Sequence, residues 1–509
     1  MHYIRSFPVA VALVCLAVSY AQAAEKTSLT IYSTATPGSI SPDMYRPLPG
    51  GQGGGWMFGN QIPGYAMVHQ QREVDLKSGM NEVKFSDVAA YIDPTTVSFK
   101  SLTDPVGTSV LEQDYHFDLV SGQKLLERYL DQEVTVDQAA ANGAVTDTTG
   151  KLLSANGALV LQGKDGKVTS INSYTNIHFP ELPGGLITKP TLIWSINTNK
   201  PGKHQIDTGY QTTGITWWAD YNATYKEGKD ENNGFLDLGA WVSIVNKSGA
   251  DYNNAGLKLV AGDVHRSQAN DMMEARKMTM SMAAPAAAPG FAEKAFFEFH
   301  LYTLGRSTTI PADSTKQIEL FPQVAQVPVE KQYIYYGAPM MGFGGVYTDR
   351  DPGTPMNKKV DVYLTLKNDK KYGVGMPLPS GRVRVSKLDA ADGSLEFIGE
   401  DTIDHTPKDE DVRIKLGSAF DITGERKQTD FRVDSGGHVM EESFEVTLSN
   451  HKDGDVNVIV KENMYRTANW QIVRANGQYQ KIDANTVYFP VKVKKDQTEK
   501  LNYTVRYTW

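Results

Sequence analysis

The chain has 509 residues, with 51 Lys and Arg against 59 Asp and Glu, a formal net charge of −8, and 40% hydrophobic residues. The mild acidic excess is spread along the chain, which excludes a polybasic membrane-surface protein and a cationic stripe for nucleic acid. The length allows roughly two to four domains with real cores, and 25 Tyr with 45 Gly favour strands and turns over helices.

The chain opens on a leader. His2 and Arg5 precede an apolar run from Phe7 to Val18, and Ala21-Gln22-Ala23 fits a small-x-small cleavage site. The run is well short of the roughly 20 residues that a membrane span needs, so a signal peptide over residues 1–23 is expected. Cys15 is the single cysteine and lies inside it, which leaves the mature chain without disulfide or thiol chemistry. A soluble, exported chain with no later transmembrane helix is the expectation.

An N-terminal β domain is expected over 24–180. Leu29–Tyr32, Arg72–Leu76, Glu82–Phe85, Thr95–Lys100 and Val110–Phe117 read as strands. The segment GGQGGGWMFGN at 50–60 is flanked by Pro47, Pro49 and Pro63 and lacks a Lys-Ser/Thr ending, so it reads as a surface loop, not a phosphate cradle. Leu125, Leu126, Tyr129 and Leu130 sit at helical spacing and predict one short helix over Gly122–Asp131. Leu152–Ser154, Ala158–Gln162 and Val168–Ile171 then form a small meander, and Pro180–Gly185 is a linker.

A central sandwich follows over 186–335. Ile215, Trp217, Ala219 and Tyr221 fall on every second residue, as do Leu236, Leu238, Ala240, Val242 and Ile244, and again Leu257, Leu259 and Ala261. A period of two places successive side chains on opposite faces of a strand. Asn246-Lys247-Ser248-Gly249 supplies a turn. A Met, Ala and Pro stretch at 271–290 lacks strand periodicity and reads as a disordered linker. Phe296–Leu304, Ile318–Val324 and Tyr333–Tyr336 are further strands, and Gly337 to Pro355 leads to the last domain, 356–509. There Val360 to Leu366, Leu395 with Phe397, Val412 to Leu416, Phe444 to Leu448, Val456 to Val460, Val487 to Val493 and Leu501 to Tyr507 alternate. Seven or so short strands separated by turns read as an immunoglobulin-like sandwich. The fold class is mainly β, with several such sandwiches.

The blocks IGEDTIDHTPKDEDVRIKLGSAFDI (398–422), PTLIW (190–194), GITWWADY (214–221), LKLVAGDV (257–264) and the ending LNYTVRYTW resemble a bacterial exported family. It is the domain of unknown function numbered forty-one thirty-nine, which is similar to the mucoidy-inhibitor group. The resemblance spans nearly all of the mature chain and implies a periplasmic or otherwise exported envelope protein rich in β-structure. It brings no catalytic residues. Members of the mucoidy-inhibitor group tend to carry a long coiled coil near the N-terminus, and this chain has no heptad run there.

Several constellations invite chemistry. Asp207-Thr208-Gly209 and Asp434-Ser435-Gly436 each follow an apolar residue, as the paired carboxylates of aspartic proteases do. Their following residues depart from that pattern, and tight turns explain both. Asp434-Ser435-Gly436-Gly437 also invites a serine nucleophile, which needs a His base and an orienting carboxylate. Met272, Met273, Met278, Met280 and Met282 offer soft sulfur that suits Cu(I). Asp401, Asp404, His405, Asp409, Glu410 and Asp411 crowd one stretch without the spacing of a calcium loop, and Asp263 with His265 is too small a set for a metal.

Trp217-Trp218, Trp194, Trp56 and Trp241 raise sugar binding through aromatic stacking. Alternation sends Trp217 to the core and Trp218 to the opposite face, where a second buried layer would serve equally well. The candidate ligand-binding residues are therefore Trp218, Asp220, Asp401, Asp404 and His405. Tyr503, Val505, Tyr507 and Trp509 read as a closing sandwich strand and not as an outer-membrane barrel signal. No cofactor or resident metal is expected. The expected function is non-enzymatic binding or scaffolding of an envelope protein or glycan. The alternative is a hydrolase or polysaccharide-processing enzyme with carboxylates in loops of the last domain.

Overall fold

Alternating runs become strands along most of the chain. The computed structural model describes residues 18–20, 26–32, 40, 62–139, 144–184, 186–262, 264, 290–337, 348–350, 357–434, 436 and 438–509. Most of the expected signal peptide, the Gly-rich loop at 50–60 and all but the last residue of the Met-rich segment lie outside these residues. Among the described residues, no helix is long and apolar enough to cross a membrane.

The chain begins with β1 (Val18–Tyr20), β2 (Lys26–Tyr32), β3 (Tyr65–Leu76), β4 (Gly79–Ser86), β5 (Ile92–Ser101) and β6 (Thr108–His116). The expected helix forms over Gly122–Arg128 as α1, and its first turn is capped by Ser121, whose side chain accepts from Lys124 N. It opens an insert that continues as β7 (Glu133–Ala139), β8 (Val145–Ser154), β9 (Leu159–Gln162), β10 (Val168–Ile171) and β11 (Asn176–His178). The insert is a five-stranded sheet with its own small core around Leu126, Tyr129, Val136 and Leu161.

Next come β12 (Thr191–Thr198), β13 (Gly202–Thr213), β14 (Ile215–Glu227), β15 (Asn233–Asn246), β16 (Tyr252–Ala261), β17 (Phe291–Phe296) and β18 (Phe299–Ile310). The strand expected at 296–304 is present from Phe299 onward as part of β18, and its first residues form the β17–β18 hairpin corner, where Phe297 turns at φ 58°. The last part holds β19 (Ser314–Tyr336), β20 (Lys359–Lys367), a 3-10 turn at Lys370–Tyr372, β21 (Gly381–Leu388) and β22 (Leu395–Ile403). It ends with β23 (Asp411–Asp434), β24 (Val439–Asn450), β25 (Val456–Asn463), β26 (Asn469–Ala475), β27 (Gln480–Lys481), β28 (Thr486–Val493) and β29 (Thr498–Thr508).

A seven-stranded sheet (β17-β18-β16-β2-β3-β13-β5), a four-stranded sheet (β1-β4-β12-β6) and the first part of a thirteen-stranded sheet share one core. Leu29 and Ile31 enter it from the first, Phe85 and Trp194 from the second, and Trp217, Tyr221 and Leu238 from the third. Both 24–180 and 186–335 therefore line the same interior. Removing side chains of this size from water contributes about 1.5–3 kcal/mol each.

A second core packs β24, β29 and the far half of β23 against β25, β28 and the end of β19. Three strands serve both interiors. On β19, Val327 and Val329 belong to the first core and Tyr333 and Tyr335 to the second. On β23 the division falls between Ile414 and Ile422, and on β20 between Leu364 and Val360. The strands expected separately at 318–324 and 333–336 are thus one strand of 23 residues.

The thirteen-stranded sheet curls on itself. Its path β22-β21-β14-β15-β19-β20-β23 brings β22 back against β23, where Asp401 Oδ2 accepts from Lys415 N at 2.6 Å. A carboxylate thus takes the place of a strand carbonyl at the seam. Leu395 and Phe397, expected on a core face, are exposed at the tip of the β21–β22 hairpin. A register shift on β22 after Phe397 turns Ile398 toward the core instead.

Candidate functional site

Most of the sequence-predicted site residues converge on one corner. Parallel pairing of β14 with β21 sets Ala219 opposite Gly381, and β21 sets Gly381 opposite Ile403. Trp218, Asp220, Asp404 and His405 therefore lie at one end of three neighbouring strands. Gly381 allows the approach, since a Cβ there would stand 2.3 Å from Ala219 O.

The corner is packed closed. Trp218 is only 8% exposed and lies in an apolar cluster with Ile40, Ile62 and Val245. Its Nε1 donates to Asp220 Oδ2 at 2.8 Å, and Ser243 Oγ donates to the same oxygen at 2.6 Å. Arg384 Nη1 stands 3.5 Å from the other carboxylate oxygen and holds Glu400 through Nε at 2.9 Å. A ring that stacks on a sugar needs an open face, so Trp218 is an anchor and not a platform. Alternation separated it correctly from Trp217 but could not show that the outer face of β14 is also covered.

Asp401 closes the strand seam, as described above. Asp404 is exposed, and its backbone carbonyl accepts from Thr406 Oγ1 at 2.9 Å. His405 Nδ1 accepts from Ser380 N at 3.1 Å, which leaves the ring proton on Nε2, 3.4 Å from Ser380 Oγ. In that tautomer the imidazole presents a donor to the serine and cannot take its proton.

A second Ser–His pair was not anticipated. His204 Nε2 donates to Lys200 O at 2.7 Å, so Nδ1 accepts from Ser101 Oγ at 3.1 Å. The tautomer suits a base, but both residues are buried, His204 at 0% and Ser101 at 1% exposure. The pair fastens β5 to β13 and has no route to a substrate.

The triplet Asp207-Thr208-Gly209 is not a turn. It lies in mid-strand on β13, paired on both sides with β3 and β5, and Gly209 leaves room for the His69 ring. Asp434 ends β23, and its neighbours Ser435 and Gly437 lie outside the described residues, as do Asp263, His265, Trp56 and the five methionines. Trp194 is buried and donates to Gln113, and Trp241 is 39% exposed. Among the described residues, no group of three His, Cys, Asp or Glu is placed to hold a metal.

A different surface carries unspent chemistry. Tyr336 on β19 sits directly opposite Lys461 on β25, and Lys461 directly opposite Tyr488 on β28. Paired residues share a face, so the ammonium lies between two rings, 5.5 Å and 5.8 Å from their centroids. Tyr336 Oη meets Tyr363 Oη of β20 at 3.1 Å. Beyond it, the Arg413 guanidinium of β23 covers the Tyr363 ring at 4.2 Å. Five adjacent strands thus bear one row of aromatic and cationic groups.

The four members Tyr336, Tyr363, Lys461 and Tyr488 are half-buried, and Arg413 is exposed. Burial, reinforced by the Tyr363 hydroxyl, pushes the Tyr336 phenol up to about 12, so it stays a neutral donor. Lys415 also nears Tyr363 but is neutralised by Asp361 at 2.6 Å. Among the described residues, no carboxylate stands within ion-pair distance of Arg413 or Lys461. Asp483, whose carboxyl is held below its ordinary range first by the Asn485 backbone N–H and only last by Lys461, accepts from the backbone N–H groups of Asn485 and Thr486.

The sequence shows each of these residues on the outward phase of a strand, for example Tyr363 between Val362 and Leu364. It does not show that the strands are neighbours. The chain matches no protein-family model, and no curated protein was found to match it.

Proposed function

We propose that this chain is an exported envelope protein that binds or scaffolds a partner and performs no reaction of its own. The leader-like start and the resemblance to the exported family numbered forty-one thirty-nine support the location. The observation that carries the binding reading is the cation–aromatic row. It lies on a sheet face built by five strands, and its two cations, neither in an ion pair among the described residues, are carried on paired strands. Such a surface offers contact area and charge at little cost in side-chain ordering, which suits recognition. Of the groups singled out from the sequence, Asp220, Asp401 and His405 are meanwhile engaged in holding strands and hairpins together.

The test is incubation of the purified chain with isolated envelope polysaccharide and protein fractions. Retention of intact polymer or intact protein on the chain supports the reading. Release of shortened fragments overturns it in favour of a hydrolase, and retention of nothing overturns it as well.

A further inference from the structure

Resting on that binding reading, we infer that the row Arg413–Tyr363–Tyr336–Lys461–Tyr488 is a binding site for an anionic polysaccharide, a polymer of uronic acid type. Three features of the row select this occupant over others.

The first is charge. Lys461 and Arg413 lie at separate points of the row, each against an aromatic ring and neither in an ion pair among the described residues. A cation over a ring keeps its charge available at the outer side, so the row attracts carboxylates while remaining only partly hydrated. The guanidinium of Arg413 is also a planar fork that fits a carboxylate through two parallel hydrogen bonds.

The second is ring chemistry. Tyr336, Tyr363 and Tyr488 present apolar faces edged with hydroxyl groups, a combination that matches a pyranose with its C–H face and its hydroxyl rim. The Tyr336–Tyr363 hydroxyl pair joins across two strands and retains acceptor capacity for a sugar hydroxyl.

The third is spacing. Adjacent strands lie about 4.8 Å apart, so the four intervals from β23 to β28 extend about 19 Å across the sheet, while Tyr363, opposite Gln332, and Arg413, opposite Thr365, also step the row along the strands and set it oblique to them. An extended polymer laid obliquely across the strands would meet ring, cation, ring, ring and cation in succession. An extended peptide would more naturally run along a strand edge, where its backbone can pair.

The test measures binding of the full chain to polygalacturonate, dextran and polyglutamate by calorimetry. The same titrations are run on the double variant Lys461→Gln/Arg413→Gln, whose unfolding temperature checks that the fold is kept. Both side chains are on the surface of a sheet, and the change leaves the rings in place. The expected result is binding to polygalacturonate, none to dextran, and affinity weakened by about tenfold or more in the double variant. A second variant, Tyr488→Ala, is expected to weaken binding without changing its salt dependence, because it removes a stacking face and no charge. Equal affinity for polyglutamate overturns the sugar assignment in favour of an acidic peptide. Absence of polygalacturonate binding, or unchanged affinity in the double variant, overturns the row as the site. Neither failure touches the broader binding reading, which falls by fragment release or by retention of nothing.

Discussion

Glu231 and Lys452 are 221 residues apart in sequence, yet their Oε2 and Nζ atoms meet at 3.1 Å. Lys331 Nζ reaches the same oxygen at 3.2 Å, and Asn457 N donates to the neighbouring Asn232 Oδ1 at 3.3 Å. The tip of the β14–β15 hairpin, built on the first core, is thereby latched to the β24–β25 corner of the second. Gly454 lets it approach, since a Cβ there would stand 2.9 Å from Glu231 Cγ. Glu231→Gln keeps the shape and removes the charge. The expected loss is about 1–2 kcal/mol, less than a buried pair because all three groups keep some water contact. Calorimetry is expected to show the C-terminal sandwich unfolding ahead of the rest, and a single transition unchanged in the variant would contradict the latch.

The same latch makes the chain acid-sensitive. Burial alone would raise the Glu231 carboxyl, but the Lys331 and Lys452 ammonium groups together hold it below its ordinary value of 4.5. A carboxylate with a lower pKa folded than unfolded adds stability above the unfolded value. That stability is lost as pH falls from 4.5 through the folded value. Unfolding temperature followed from pH 6 downward is expected to fall in this window more steeply in the native chain than in Glu231→Gln. Parallel curves would show that the latch contributes nothing.

Inside the C-terminal sandwich, Arg466 and Glu442 form an ion pair at 2.5 Å with both side chains at 0% exposure. Gln428 Nε2 donates to the same carboxylate oxygen at 2.8 Å, and Arg466 Nη1 donates to Asp349 O at 2.8 Å. Burial disfavours the guanidinium charge, but Glu442 outweighs it and raises the Arg466 pKa. Arg466→Met leaves a buried carboxylate without its cation, at an expected cost of about 3–5 kcal/mol. The double variant Arg466→Met/Glu442→Leu removes both charges and is expected to recover most of the loss. Chemical denaturation of the three chains measures this, and a double variant no better than the single one would refute the account.

Which face of a strand is buried was legible in the sequence. Leu236, Leu238, Ala240, Val242 and Ile244 alternate, and all five are buried. The turn at Asn246–Gly249 was legible too, although its reason was not. Asn246 Nδ2 donates to Ala250 O, Ile310 O and Pro311 O, and Asn450 repeats the device with Gly454 O, Val493 O and Lys494 O. Those partners lie on a neighbouring strand as well as in the turn. Pairing is what a period of two cannot express. It gave no sign that β19 and β23 run through two cores, that Trp218 has a covered face, or that Tyr336 and Tyr488 flank Lys461. Local conformation resides in spacing, whereas these relationships depend on contacts between strands from 27 to more than a hundred residues apart.

Asp401 offers the sharpest separation of structural from functional roles among the residues singled out from the sequence. Its Oδ2 accepts the backbone N–H of Lys415 and its Oδ1 that of Thr402, at 2.6 Å and 2.9 Å. The Lys415 bond joins β22 to β23, where no regular ladder forms, and so closes the ring of seven strands, while the Thr402 bond steadies the carboxylate on its own strand. Asp401→Ala deprives the half-buried Lys415 amide of its partner, and the expected loss is about 1–3 kcal/mol. Asp401→Asn keeps an acceptor oxygen at the same reach and is expected to restore most of it. A metal-binding or catalytic carboxylate would behave otherwise, since the amide has no charge to offer a cation and no proton to exchange. Thermal unfolding of both variants, read beside their polygalacturonate affinity, tests the point. Stability is expected to follow Asp401→Ala < Asp401→Asn ≈ native, with affinity the same in all three. An asparagine variant as unstable as the alanine one, or an affinity lost in both, would assign the carboxylate's charge a role that the seam does not require.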